Sequence, residues 1–524
     1  MEKELPVSRF QKKSPVSMVP TAEIFNVKSG DDADNQNPER SFRGGTSKII
    51  EKFFVNCYKQ LDSLADFPSY FLLNFPSDYI NPHLNEILEQ LKKNNFIKQH
   101  FFDNQRFNDA PFFYSVNLVP NYAPSITDGI IIKKTLGFSF GKNAQEVFSK
   151  AVGEFLERYF FTIYHKKNFI RGSVDDLKKK KIPTLDLNLL AGFSDEQKMA
   201  HSKRQFNKKS VFYWEKGKRL STNKTVYLPA QLIYWNYIPC YTPEDFEPIL
   251  WEPNTNAAAG FFSLEEAILA GLYEAIQRDG FCIYWLNKLS PNLIDPETVP
   301  SADFQNLLAE SKRYGFEIYC LNITTDLNVP AFAVIVSDPS GAGPRFVLGA
   351  GCQADPAKAL YCALEESWAC YYFMRGKTPP YFNLKQGYSP FKEAAIGQDE
   401  RLSLWANPEM AEHFKFFISG KKIPFSEHSF NYPKKFKSPG EELNFLAKKL
   451  ENMGPGYEVY YYQANHPFLS KIGYYVVKTI TPQLIHLYLN EVNALLGGRR
   501  LKDVPGKLGF KAAEKWNPWP HPFP

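Results

Sequence analysis

Three separated stretches of the sequence carry glutamates at matching places in helix-like runs. AQEVFSKAVGEFLERYFF from Ala144, LEEAILAGLYEAIQRDGF from Leu264 and PAKALYCALEESWACYYF from Pro356 align without gaps and superpose Glu154, Glu274 and Glu366. Three residues further on stand Glu157, Gln277 and Ala369, followed by Arg158, Arg278 and Cys370; eight residues earlier stand Glu146, Glu266 and Lys358. Steps of eight and three keep such groups on one helical stripe. A solvated helix face also shows acids at this spacing. In the second run, however, Glu266, Glu274 and Gln277 are surrounded by Ala, Ile, Leu, Gly and Tyr, which predicts a helix apolar nearly all round and largely enclosed. Enclosed carboxylates need partners, because an ion stripped of water without compensation is costly. These runs hold few lysines, so a divalent cation compensates better than ion pairing alone. Hard oxygen donors favour magnesium, which usually arrives with a nucleotide's phosphates.

No GxxxxGK followed by Ser or Thr occurs, and the protein-kinase signatures are missing, so a nucleotide site here has to be of another kind. Gly137 and Gly141, in LGFSFGKNA before the first run, could let phosphates approach a helix start; a plain turn explains them equally well.

The elements that must hold these groups read as a mixed α and β core. A helix is expected from Asn81-Pro82 with Leu84, Ile87, Leu88 and Leu91 on one face, and another over Ile49, Ile50, Phe53, Phe54, Cys57 and Leu61. Strands are expected over Phe112–Val119, Val226–Tyr234, Glu317–Ile323, Ala331–Val336 and Tyr474–Ile480. Residues 1–46 lack an apolar period and read as a flexible tail, 47–110 as a small N-terminal helical module, and 111–524 as the main domain. Polar 194–225 and the Pro-, Lys- and Phe-rich 376–440 read as surface insertions. The run Lys178 to Lys181 reads as a solvated loop.

With 524 residues the chain has room for a large catalytic unit plus an appendage, and its 45 Phe and 29 Tyr promise bulky cores or a peptide-gripping surface. A net charge of +6 is small for this length and no zinc-finger or helix-turn-helix pattern appears, which argues against nucleic acid. The seven cysteines form no CxxC pair and read as buried, reduced thiols. The N-terminal residues lack a signal-peptide core and no run spans a bilayer, so a cytoplasmic location without membrane contact is expected.

The motifs resemble the YcaO family, whose nucleotide site is built from carboxylate-bearing helices. GEFLER at Gly153 to Arg158 looks like that family's ExxER motif. TNAAAG at Thr255 to Gly260, followed by Glu266 and Glu274, is similar to its SNG-type loop and following helix, and NITTDLNVPAF from Asn322 to Phe332 resembles its D-x-x-x-P turn. Pro518 to Pro524 resembles the PxPxP tail of the azoline-forming cyclodehydratases. The resemblance runs from roughly residue 80 or 110 to the end. Three positions depart from the pattern: Gln277 for a usual Glu, Cys362 for a usual Arg and Ala369 for a common amide. Gln277 keeps a carbonyl oxygen able to ligate magnesium, whereas Cys362 cannot replace a cation on a phosphate.

The resemblance implies an α+β fold and binding of ATP and Mg2+, with Glu154, Glu157, Glu274, Gln277 and Glu366 as metal ligands and Arg158, Asn256, Glu266 and Arg278 near the nucleotide. It implies that Pro520, Pro522 and Pro524 organise the catalytic cleft as a pre-extended segment, one that contributes little to the main core. The implied chemistry follows from a leaving-group problem. After a Cys, Ser or Thr side chain attacks the preceding amide, the carbonyl oxygen would have to depart as hydroxide; phosphorylation by ATP lets it leave as phosphate, and a thiazoline or oxazoline remains. Positioning and charge neutralisation on the phosphates are the protein's part. A ribosomal precursor peptide and a separate peptide-recognition protein are the implied partners, as in bacteriocin maturation, and a homodimer is admitted. Two other readings stand beside it: a thioamide- or amidine-forming relative, and an inactive scaffold that binds a peptide or partner enzyme.

Overall fold

The computed structural model describes residues 82–103, 109–121, 127–129, 136–240, 242, 245–375, 381–392 and 397–523. The expected tail 1–46, the helix over Ile49 to Leu61, and Pro524 lie outside the described residues. The helix expected at Pro82 is present as α1 (Pro82–Lys93), with Leu84, Ile87, Leu88 and Leu91 buried.

Among the described residues three sheets carry the fold. The first is antiparallel, in the order β1 (Ile97–Asp103), β2 (Tyr114–Pro120), β3 (Gly137–Gly141), so residues on both sides of position 110 share one sheet. The second contains β4 (Ile170–Ser173), β5 (Val211–Arg219), β6 (Thr225–Pro229), β7 (Ala258–Phe261), β13 (Tyr460–Gln463) and β14 (Tyr475–Ile480), with β13-β14-β7 consecutive and antiparallel. The third has the order β11 (Phe346–Cys352), β10 (Ala331–Ser337), β9 (Glu317–Asn322), β8 (Leu293–Ile294), β12 (Lys422–Ile423). Every residue of β10 and β11 is buried, as their continuous apolar runs require.

Each of the three repeated runs is one helix, and each packs on a different sheet. α2 (Ala144–Phe160) lies on β2 and β3, α3 (Leu264–Leu286) on β14 and β7, and α5 (Pro356–Arg375) on β10 and β11; the intervening α4 is Ala302–Arg313. Caps set their starts: Asn143 Oδ1 accepts from the N–H of Gln145 at 3.0 Å, Ser263 Oγ from Glu266 at 3.3 Å and Asp355 Oδ1 from Ala357 at 2.9 Å. Two strand glycines bring helix and sheet unusually close. A Cβ on Gly137 would fall 2.3 Å from the Ala151 carbonyl oxygen of α2, and one on Gly349 would fall 2.3 Å from the Ser367 nitrogen of α5. Close packing, rather than a phosphate, explains Gly137.

Three expectations are corrected. Residues 194–225 are not a surface insertion throughout: they contain β5, whose Phe212 and Trp214 are fully buried, because a continuous apolar VFYW run outweighs its charged flanks. In 376–440, α6 (Gln398–Ala406) buries Arg401, Leu404 and Trp405, while Phe414 and Phe417 join the main core. The strand expected to reach Tyr234 stops at Pro229, where a single turn of 3₁₀ helix begins.

Candidate functional site

The three glutamates that superpose in sequence make the same bond in space. Glu154 Oε2 accepts from the N–H of Phe138 at 2.5 Å, Glu274 Oε2 from Ala257 at 3.1 Å and Glu366 Oε2 from Ala350 at 2.8 Å. In the first and third units that donor follows the close-packed glycine. In the second it is Ala257, held at φ +59°, a left-handed conformation costly for a side-chain-bearing residue. Glu157 Oε1 ties the first unit to the second by accepting from the Gly260 N–H of β7 at 2.7 Å.

The four carboxylates are partly buried and sense one another. Burial pushes Glu154, Glu157 and Glu366 above the ordinary carboxylate range; Glu154 and Glu274 push Glu157 further, and Glu274 adds to both Glu154 and Glu366. Two guanidinium groups oppose them: Arg158 Nη2 lies 2.6 Å from Glu154 Oε1, and Arg278 Nη2 lies 3.1 Å from Glu274 Oε1. Negative charge is therefore in excess. Yet Nε and Nη1 of Arg278 are buried with no hydrogen-bond partner. Excess acid beside an unsatisfied cation suits a ligand that brings both metal and anion.

Among the described residues no three His, Cys, Asp or Glu side chains already converge on one point. Magnesium does not require such a cluster, since it commonly takes one or two carboxylates and completes its shell with water and phosphate oxygens.

The other sequence-predicted residues divide. Asn256 is buried beside this centre, its Nδ2 donating to the Leu487 carbonyl at 2.6 Å, and Gln277 is buried one residue before Arg278. Glu266 takes the Ser263 hydroxyl at 2.6 Å at the start of α3, and no described bond joins it to the other carboxylates. Cys362 is partly buried, accepting from Gln353 Nε2 at 3.4 Å; the Lys150 ammonium of α2 stands close enough to oppose the rise that burial imposes on its thiol. That lysine is held by Glu365 at 3.2 Å.

The tail is not peripheral, and the expectation that it adds little to the core is corrected. Pro520, His521, Pro522 and Phe523 are buried, His521 and Phe523 completely. Trp285 Nε1 donates to the Trp519 carbonyl at 3.2 Å, Trp405 Nε1 to that of Pro520 at 2.9 Å, and His521 Nε2 meets the Tyr488 carbonyl at 2.7 Å. Proline cannot donate, so these carbonyls and the interleaved rings do the anchoring. Phe523 ends under Arg278, 3.9 Å from the guanidinium carbon to the ring centroid.

Sequence reasoning missed Lys478. It is buried on β14, its Nζ donates to the Asn254 carbonyl at 2.8 Å, and burial lowers it to about 7 against the pull of Glu274. It thereby holds the Asn254–Ala257 turn against the site. A lone lysine inside the apolar run YYVVKTI was the available signal.

A family model described as YcaO cyclodehydratase, ATP- and Mg2+-binding, matches residues 140–485. An uncharacterized protein of Methanothermobacter thermautotrophicus is 28% identical over 159 residues, 30% of this chain and 40% of its own length. An uncharacterized protein in the tfuA 3′ region of Rhizobium leguminosarum bv. trifolii is 26% identical over 163 residues, 29% of this chain and 37% of its own. The chain thus spans about two fifths of these curated relatives. Among solved structures, a heterocyclase in complex with substrate and cofactor has a TM-score of 0.63 at 21% identity, covering 84% of this chain and 57% of that one. The heterocyclase TruD has 0.55 at 22%, covering 72% and 50%, and a YcaO from Methanopyrus kandleri bound with AMPPCP and Mg2+ has 0.54 at 16%, covering 79% and 93%. The likeness to these structures is one of fold.

Proposed function

The chain belongs to the YcaO family, and from that premise we propose that it is an ATP-dependent cyclodehydratase converting Cys, Ser or Thr of a ribosomal precursor peptide to thiazolines or oxazolines. The observation that carries this reading is the pairing of surplus carboxylates with the unsatisfied Arg278 guanidinium.

Glu154, Glu157, Glu274 and Glu366 would hold magnesium, with Gln277 as a neutral oxygen donor, and Arg278 and Arg158 would face the phosphates. Bound ATP would supply the phosphoryl group that turns the amide oxygen into a leaving group. The Gly137 and Gly349 contacts set the distance from strand to helix, so that each glutamate is pinned through one oxygen and its other oxygen remains for a ligand or the adjacent arginine. Lys478 and the Leu487 carbonyl fix the turn that bears Asn256. Phe523 supports the face of Arg278, which gives the tail prolines Pro520, Pro522 and Pro524 a positioning part in the cleft. Glu266, at the start of α3, would meet the nucleotide side of the opening. A separate peptide-recognition protein, a cytoplasmic setting and a homodimer complete the proposal.

The test is mass loss of one water per ring in a candidate precursor peptide, with Mg2+, ATP and the partner protein present, alongside peptide-dependent ATP turnover. Both are expected. Nucleotide binding with no change in the peptide would favour the scaffold reading, in line with Cys362, and replacement of oxygen by sulfur would favour a thioamide-forming enzyme.

A further inference from the structure

A second recessed region lies on the sheet that supports α3. A cavity of about 280 Å3 is lined by Lys216, Gly217, Lys218, Tyr461, Gln463 and Asn465. Its origin is a parting of strands. Along the edge of β5 opposite β6, β4 pairs with Val211 to Trp214, while β13 pairs only with Lys218 and Arg219. Glu215, Lys216 and Gly217 have no strand partner on that edge among the described residues, and Tyr462 and Gln463 of β13 pair only with β14. Gly217 permits the closeness that remains: a Cβ there would fall 2.4 Å from Leu228 Cδ1 and 2.9 Å from the Tyr461 carbonyl oxygen.

The side chains around this notch form two rows. Lys218 sits opposite Tyr461, so strand alternation puts Lys216 and Lys218 on the same face as Tyr461 and Gln463. Both lysines are exposed and neither has an ion pair among the described residues. Facing them, Gln463 and Asn465 are exposed amides at the same alternate spacing. Alternate residues on any extended chain stand roughly 6.6–6.8 Å apart, so carboxylates at every second position of a bound strand would match both lysines at once. On the β5 side the Lys216 N–H already donates to Glu215 Oε1 at 2.7 Å, so a backbone laid in the notch would bond chiefly along β13, whose Gln463 has no β5 partner.

We propose that this notch binds an extended acidic peptide segment, with carboxylates at alternate positions facing Lys216 and Lys218 and amide contacts from Gln463 and Asn465. The inference deepens the peptide-modifying reading, on which it rests for its biological sense. Binding itself requires no turnover.

The test uses the whole protein without nucleotide and a fluorescein-labelled decapeptide of Ala and Glu with Glu at alternate positions, followed by fluorescence anisotropy at low salt. The double variant Lys216→Ala/Lys218→Ala should weaken binding roughly tenfold, the scale of two exposed ion pairs. Lys216→Glu/Lys218→Glu should abolish binding and instead favour the matching Ala/Lys peptide. A peptide with the same glutamates in one block should bind more weakly than the alternating one. Equal binding of the two peptides, unchanged binding by either variant, or complete displacement by equimolar inorganic phosphate would each overturn the proposal, the last marking a simple anion site. Alternating-peptide binding that survives while no precursor peptide is ever modified would leave the notch standing and remove the cyclodehydratase reading; azoline formation with lysine-independent binding would do the reverse.

Discussion

Arg278 and Asp279 are neighbours on α3 and live in opposite electrostatic surroundings. Asp279 is fully buried, and its oxygens receive Arg500 Nε at 2.9 and 3.0 Å, Arg500 Nη2 at 2.7 Å and the Ile485 N–H at 2.9 Å. Arg500, in the helix Arg500–Lys507, also reaches Asp326 at 2.8 Å, and Lys507 takes that carboxylate's other oxygen at 2.8 Å. Two acids meet two bases there, and the geometry is closed. Arg278 keeps two buried donors unsatisfied amid surplus carboxylates. Burial alone therefore separates nothing: what distinguishes the two clusters is that pairing is complete in the first and incomplete in the second, where surplus carboxylates stand beside the open donors.

That contrast can be broken most forcefully at Arg500. Arg500→Met leaves Asp279 buried without its cation and should cost about 3–5 kcal/mol in chemical denaturation, while ATP turnover per folded molecule stays unchanged. A small stability loss with lost turnover would put Arg500 in the working site. Glu154→Gln should behave in the opposite way, lowering peptide-dependent turnover about 10²–10³-fold with little change in nucleotide-free stability, because the lost Arg158 pairing is offset by relief of the repulsion among the four carboxylates. Phe523→Leu sharpens the comparison from the tail side. It should lose about 1 kcal/mol of stability as a near-volume-conserving swap and raise the KM for ATP more than it lowers kcat, since the ring under Arg278 is what changes.

The smallest effect is one of pH. Glu157 is raised by burial and by its acidic neighbours, so the folded state holds its proton more tightly than the unfolded chain does. Its contribution to stability is full below the ordinary carboxylate value and is lost as pH rises through the folded value. Without nucleotide, Glu157→Gln should flatten the stability gain seen on acidification from neutral toward about pH 5. Magnesium-nucleotide affinity in the parent should run the other way and strengthen as pH rises, which calorimetry in two buffers would read as proton release. Identical pH slopes for parent and variant would remove Glu157 from the carboxylate group.

Local periodicity was the most legible layer of the sequence. The helices begin at Ala144, Leu264 and Pro356, where the gapless repeat placed them, because helical spacing and caps lie within a few residues of one another. The mixed α and β fold class followed from the same reading, and the strands from Glu317, Ala331 and Tyr475 lie where β-branched and aromatic runs predict them. The hidden parts depend on distant partners. Asp279 reads as one more helix residue until Arg500 arrives from 221 positions away. The tail reads as a pre-extended segment that adds little to the core, and only the distant Trp285 and Trp405, which claim its carbonyls, make it part of that core; β5 hides in a charged segment because only four of its residues form the apolar core of the strand.

The partners of α3 also have a kinetic consequence. Its contacts to His486, Arg500 and Trp519 are supplied by the C-terminal fifth of the sequence; the Trp285–Trp519 bond alone spans 234 residues. Contacts this remote form late, because chain closure precedes their reward. Until then an apolar helix bearing Asp279 stands half-housed, the kind of species that aggregates or is held by chaperones. A fragment trimmed to 140–485, the span the family model matches, would stop in that state permanently: it keeps all four glutamates but lacks Arg500 and Phe523. Expression boundaries drawn from family likeness alone would thus yield insoluble protein whose site sequence is intact.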